Sequence, residues 1–294
     1  MARARLALDG LSLGDAYGER FFAGPAAAMA SEDQPPLVPA ARVWRWTDDT
    51  AMAVSIVEEL AARGAIDPGS LAARFGARYL IEPDRGYGGT AHEILHQLAH
   101  GRPWAAAASE PFDGAGSMGN GGAMRAAPVG AYFAGDLDRV VAEARASAAP
   151  THANPEGQAG AIAVAVAAAV AVEMAAGLRP RTSAELLAAV IAATPPGATR
   201  DGLVRATELA DRGPRAAAYV LGCGRKVISS DTVPFALWSA SHHLDDYPTA
   251  VWRTVVALGD MDTTAAIVGG VVALAVGRDG LPADWLARRE PLPV

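Results

Sequence analysis

The chain has a single cysteine, Cys223, in 294 residues. An intrachain disulfide and a cysteine-rich zinc cluster are therefore excluded, and the composition suits a reducing compartment. Charge is sparse as well. Only 19% of residues are charged, the net charge is −7, and no block of Lys or Arg stands out. Without such a block the sequence-independent attraction to a phosphate backbone is missing, so nucleic acid is not an expected partner. No uncharged apolar run reaches the roughly 18 to 20 residues that a bilayer requires. The longest covers residues 159–172 and stops at Glu173, so no membrane association is expected. The apolar stretch after Arg3 and Arg5 is too short for a signal-peptide core, which leads to the expectation of a cytoplasmic protein. Alternating, strand-like patterns are also scarce. The β-branched residues sit inside alanine-rich runs such as Ile162-Ala163-Val164-Ala165-Val166.

What remains is a chain that is 51% hydrophobic, with apolar residues at helical spacing: Met52, Val54, Ile56, Val57 and Leu60, then Leu71, Phe75, Tyr79 and Leu80. This predicts an all-α fold in one domain over residues 1–294. About a dozen helices are expected, starting near Ala2, Asp48, Pro68, Thr90, Gly121, Leu137, Pro155, Ser183, Gly202, Ser230, Pro248 and Asp262. The Pro/Gly-rich stretches 24–39, 109–122 and 195–202 lie between helical patterns and contain no long polar linker. Gly10 and Gly14 in the first helix, and Gly269 and Gly270 in the last, let backbones approach closely, so these two helices are expected to be central. Residues 278–294 turn polar and read as a surface tail.

Two distant acidic segments share one pattern: Trp46-Thr47-Asp48-Asp49-Thr50 and Asp260-Met261-Asp262-Thr263-Thr264, each opening an apolar helix. Taken singly, each is explained by N-capping, because Asp and Thr cap helices well and acids suit the positive helix end. One carboxylate is enough for a cap, however, and a second beside it adds repulsion that a cation would remove. Carboxylate and hydroxyl oxygens are the ligands of hard divalent cations. Two glycine-rich segments precede helices: Arg85-Gly86-Tyr87-Gly88-Gly89-Thr90, and residues 114–125. Backbone N–H groups at a helix start suit phosphate, although for an isolated glycine cluster an ordinary flexible loop is the favoured explanation.

Taken together, these residues resemble the ADP-ribosylglycohydrolase family, which includes the dinitrogenase reductase-activating glycohydrolases and the ADP-ribosyl-acceptor hydrolases. Gly14-Asp15-Ala16-Tyr17-Gly18 is similar to the family's G-D-A-x-G and Thr47-Asp48-Asp49-Thr50 to its T-D-D-T/S. Residues 119–125 (Gly-Asn-Gly-Gly-Ala-Met-Arg) are similar to G-N-G-x-x-M-R, residues 151–155 to T-H-x-x-P, and Asp260-Met261-Asp262-Thr263 to D-x-D-T. The five motifs stand in the family's order. The resemblance implies an all-α domain with two Mg²⁺ or Mn²⁺ ions held by Thr47, Asp48, Asp49, Asp260, Asp262 and Thr263. It implies that ADP-ribose or an ADP-ribosylated substrate binds in a cleft formed by Gly86, Gly88, Gly116, Ser117, Met118, Gly119, Asn120 and Gly121. His152 would lie near the ribose end. The implied reaction is hydrolysis at the anomeric carbon of the distal ribose, with Asp48 and Asp262 as catalytic metal ligands and a carboxylic acid as proton carrier.

The chain departs from the family in that acid. Where many members carry a glutamate beyond G-D-A-x-G, Phe22 stands here; Glu19 is the nearest substitute and Glu32 another. Leu258 and Met261 are further departures around the last motif. The choice of acceptor is expected to depend on residues 21–45. Trp44 and Trp46 either line a nucleoside pocket or cover the core. Two rival functions stand beside hydrolysis. One is ADP-ribose binding with little or no catalysis. The other is a zinc peptidase, through the H-E-x-x-H pattern of His92, Glu93 and His96.

Overall fold

The computed structural model describes residues 1–34, 43–210 and 212–293. Residues 35–42, which belong to the 24–39 loop and to the segment expected to influence acceptor choice, lie outside the described part. Among the described residues there are seventeen α-helices and one short 3₁₀ turn. Backbone pairing of β type is limited to two isolated bridges, Trp44 with Arg289 and Gly119 with Ile228. The all-α expectation is met in a single domain.

At its centre the Ala2–Glu19 helix runs antiparallel to the Met261–Val276 helix. Glycines four residues apart make this possible, because residues i and i+4 share a helix face. A Cβ on Gly10 would lie 2.3 Å from the carbonyl oxygen of Gly269, one on Gly14 2.1 Å from that of Ala265, and one on Gly18 2.3 Å from that of Met261. The two backbones therefore touch, and any side chain there would separate them. This contact sets Asp15 beside the start of the Met261–Val276 helix.

The Pro155–Ala175 helix packs on the Met261–Val276 helix. At 21 residues it is long and apolar enough to cross a membrane, yet 78% of its most apolar window is buried against other helices. An apolar surface on all sides is what a core helix requires.

The structure corrects three expectations. The helix expected from Gly202 begins earlier, as Ala198–Ala206. Glu156 from a neighbouring helix accepts the N–H groups of Ala198 and Thr199 at 2.7 and 3.0 Å, a remote cap that local sequence does not display. Short helices such as Trp104–Ser109, Ala127–Phe133 and Pro214–Leu221 were not anticipated, since six to eight residues are too few to establish a period. Residues 278–293 are not a loose surface tail. Leu281 and Trp285 are buried, and Trp285 stacks on Tyr17 with ring centroids 4.0 Å apart. The Trp44 N–H donates to the Arg288 carbonyl and the Glu290 N–H to the Trp44 carbonyl, and Arg289 reaches Asp9 at 2.9 Å. Trp44 and Trp46 consequently cover the core and are buried there.

Candidate metal centre

Both acidic segments do open helices, Asp48–Arg63 and Met261–Val276, with Thr47 and Asp260 at the N-cap positions. Neither side chain caps its helix. Elsewhere in the chain Asp67, Asp136, Asn154, Thr182 and Asp246 do accept such bonds. Capping thus does not account for the acids at these two starts.

They converge instead on Asp15, which is fully buried. Its carboxylate accepts the backbone N–H of Thr47 at 2.9 Å and that of Thr50 at 3.2 Å, together with both threonine hydroxyls. Oxygen atoms of Asp15, Asp49 and Asp262 lie within 4.8 Å of one another, the one such cluster of His, Cys, Asp or Glu ligands among the described residues. Asp48, Asp260 and Asp262 are partly exposed while Asp15 and Asp49 are buried, so the group has a floor and an open mouth. Thr47 Oγ1 is 2.9 Å from Asp15 Oδ1 and 3.0 Å from Asp49 Oδ2, with one hydrogen to serve both.

Burial and mutual repulsion push these acids towards the protonated form. Asp15 rises to about 6, through burial. Asp48 rises to about 7, through burial and then the charge of Asp15. Asp49 and Asp262 are held well above the ordinary carboxylate range, by burial first and then by the charges of neighbouring aspartates. Asp49 Oδ1 is enclosed with no hydrogen-bond partner. An orphaned buried carboxylate oxygen, surrounded by acids that repel one another, fits a hard divalent cation.

The glycine loops border this centre. The carbonyl of Arg85 accepts the N–H of Asp48 at 2.7 Å, and a Cβ on Gly86, where φ is +89°, would sit 3.8 Å from Asp48 Oδ1. Gly88 faces open space. Asn120 donates to Asp260 Oδ2 at 2.6 Å and to Thr232 at 3.0 Å, tying the second loop to the second acidic segment. Ser117 Oγ accepts the N–H of Gly119, and the carbonyl of Met118 accepts that of Ser229. Gly116, with φ +71°, packs on Ala153 and Asn154, and Gly119 and Gly121 lie against the His152 ring. His152 is buried at 6% exposure, and burial holds its pKa down at about 3.

Neither acid candidate is among the three clustered carboxylates. Glu19 ends the first helix, half-buried, its carboxyl raised by burial against the opposing charge of Arg45. Glu32 faces Arg215 at 3.9 Å. Phe22 is 49% exposed. Among the described residues the zinc-peptidase pattern forms no ligand cluster: His92 bonds Tyr79 at 3.0 Å, whereas the His96 ring lies tilted against that of His100 with centroids 4.2 Å apart. A surface groove of about 710 Å³ beside Cys223, Arg225 and Leu258 includes none of the carboxylates. Sequence reasoning did not assign Asp15 a role. Its signal was an acid within an apolar helix, with no cation one turn away.

Comparison with known proteins identifies the family and the fold. The sequence profile of the ADP-ribosylglycohydrolase family matches residues 1–292. A mouse protein named ADP-ribosylhydrolase ARH3 is 37% identical over 176 residues, covering 55% of this chain and 47% of the mouse protein. The zebrafish protein of the same name is 29% identical over 322 residues, covering 97% and 85%. The matched part is about half the length of the mouse relative. A solved structure described as an ADP-ribosylglycohydrolase-related protein complex superimposes with a TM-score of 0.61 at 23% identity, over 99% of this chain and 94% of the other, and so shares the fold.

Proposed function

The chain belongs to the ADP-ribosylglycohydrolase family, and on that premise we propose that it is a metal-dependent hydrolase cleaving the glycosidic bond between ADP-ribose and an acceptor. One observation carries the reading: two acidic helix starts, neither spent on capping, meet over Asp15 in a cluster with an orphaned carboxylate oxygen. Thr47, Asp48, Asp49, Asp260, Asp262 and Thr263 would hold two Mg²⁺ or Mn²⁺ ions, with Asp15 fixing Thr47 and Thr50 beneath them. When bound, the ions supply positive charge that orients ribose hydroxyls and makes water more acidic.

The protein's own groups supply the rest. Backbone N–H groups of Gly86, Gly88, Ser117, Met118 and Gly121 bind the diphosphate, those of Gly116, Gly119 and Asn120 being donated to Pro111, Ser117 and Val227, and Asn120 holds Asp260 in place. Scission builds oxocarbenium character at the anomeric carbon, which the surrounding carboxylates stabilise. Glu19, raised by burial, carries the proton between water and leaving group.

A second reading, ADP-ribose binding with little hydrolysis, draws support from Phe22 at the position where many family members carry a glutamate. The test is to incubate the protein with Mg²⁺ or Mn²⁺ and with ADP-ribosylated arginine, serine and small-molecule conjugates. Released ADP-ribose supports hydrolysis. Tight binding of ADP-ribose with no release from any conjugate selects the binding reading. Asp262→Ala should lose metal binding and activity together, and activity surviving in that variant would remove the metal assignment.

A further inference from the structure

The surface groove of about 710 Å³ beside Cys223 reverses the sign of the molecule around it. On a chain of net charge −7 it is lined by four cations, Arg205, Arg215, Arg225 and Lys226, and by one acid, Asp231. All four cations are exposed. Arg205 and Lys226 form no ion pair among the described residues. Arg215 spends its guanidinium on the carbonyls of Val256, Ala27, Ala28 and Ala30, which carry no net charge, and meets Glu32 only at 3.9 Å. Arg225 lies beside the Cys223 thiol, and Asp231 Oδ2 is occupied by the N–H of Lys226 at 2.9 Å. The groove therefore keeps an excess of positive charge.

Apolar side chains stand among these cations. Tyr219 is 93% exposed and Val220 47%. Tyrosine and arginine are the residue types enriched where one protein binds another. Phosphate is a poorer occupant, because a phosphate cradle is built from free backbone N–H groups. Here those of Gly222, Gly224, Lys226 and Val227 are donated to Ala218, Asp231, Asp231 and Gly224. What the groove offers is side-chain cations, and carboxylates suit them.

The groove also adjoins the acidic cluster. The carbonyl of Cys223, in its wall, accepts the N–H of Asp260 at 3.0 Å. Leu258, in the same wall, stands two residues before Asp260, a chain span of at most about 7 Å. A polypeptide seated in the groove thus lies next to the segment that presents Asp260 and Asp262.

We propose that this groove docks an acidic segment of a protein that carries ADP-ribose, so that acceptors with aspartate or glutamate near the modified residue are preferred. The identity of that segment as part of the acceptor rests on the proposed function, whereas the docking does not.

Fluorescence anisotropy with a labelled short peptide of alternating glutamate and alanine, and with its glutamine counterpart, tests the docking. The acidic peptide should bind at least about tenfold tighter than the glutamine one, and less tightly as NaCl is raised. Arg205→Glu combined with Lys226→Glu should weaken it about tenfold or more, while Arg205→Lys with Lys226→Arg keeps it within about threefold. An acidic peptide that binds no better than the glutamine one, or binds the charge-reversed variant equally well, overturns the proposal. So does binding of inorganic tripolyphosphate without binding of the peptide. The acceptor role is tested on whichever side-chain conjugate the wild type cleaves, placed in an acidic and in a glutamine peptide. Charge reversal should raise KM for the acidic substrate about tenfold at unchanged kcat and leave the glutamine substrate alone. An unchanged KM in a variant that has lost peptide binding overturns that role. If the wild type cleaves no conjugate, the hydrolase reading fails and the acceptor role with it, and anisotropy alone decides the docking.

Discussion

Asp15 is the residue on which the centre is built. It accepts two backbone N–H groups and two hydroxyls from a segment more than thirty positions away, so one buried carboxylate organises the whole turn that presents Asp48 and Asp49. Asp15→Asn keeps the volume but replaces an acceptor with a donor, which leaves a threonine donor facing another donor. The expected cost is about 1 to 3 kcal/mol in folding stability, with Mn²⁺ affinity reduced at least about tenfold. Urea denaturation and calorimetric titration measure the two, and an unchanged Mn²⁺ affinity would exclude the organising role. Glu19 makes a different prediction. It is half-buried while Glu32 is engaged with Arg215, so Glu19 is the better proton carrier. Glu19→Gln should slow turnover by roughly 10² or more at unchanged Mn²⁺ binding, and undiminished turnover would shift the role elsewhere. The two acidic segments were legible at this scale because neighbouring acids at a helix start are conspicuous. Asp15 stood in a motif without a role, since what it touches is distant in sequence.

Among the elements, the contact between the Ala2–Glu19 and Met261–Val276 helices decides the geometry. The glycine spacing in the sequence pointed to both helices as central, and backbone contact at Gly10, Gly14 and Gly18 is the physical reason. Gly14→Val would place side-chain atoms against the Ala265 carbonyl, forcing the helices apart and separating Asp15 from Asp262. A loss of about 3 kcal/mol or more is expected, read as a lower urea midpoint. Gly24→Ala, with nothing within 4 Å of the added carbon, serves as the control and should leave stability nearly unchanged. The 278–293 segment gives the opposite lesson. Its polar composition suggested a tail, but Trp285 and Leu281 suffice to dock it, and Arg289 and Glu290 find partners on the body. Average composition does not reveal a few anchoring residues.

For the whole molecule, the raised aspartates link metal, pH and stability. A carboxyl whose folded pKa exceeds its unfolded value binds protons more tightly when folded. Its contribution is complete below the unfolded pKa and is lost as pH rises through the folded one. For Asp48 that window runs from 3.8 to about 7, and for Asp15 from 3.8 to about 6. In the presence of a chelator, the melting temperature should therefore fall as pH rises through this window. Divalent cation binds the deprotonated cluster, so added Mg²⁺ should raise the melting temperature more near the top of the window than near the bottom. Melting curves with EDTA and with Mg²⁺ across this range test both statements. A chelated protein that gains stability as pH rises through the window would contradict the clustering of acids.

The sequence by itself determined the helical class, most helix starts, the central pair of helices and the two acidic segments, because all of these are written in local spacing and in residue type. Only the tertiary structure decided that those acids are not caps, that they share Asp15, and that Arg205, Arg215, Arg225 and Lys226 line one groove. Each depends on groups brought together from distant positions, where burial and the count of available hydrogens fix what a side chain can do.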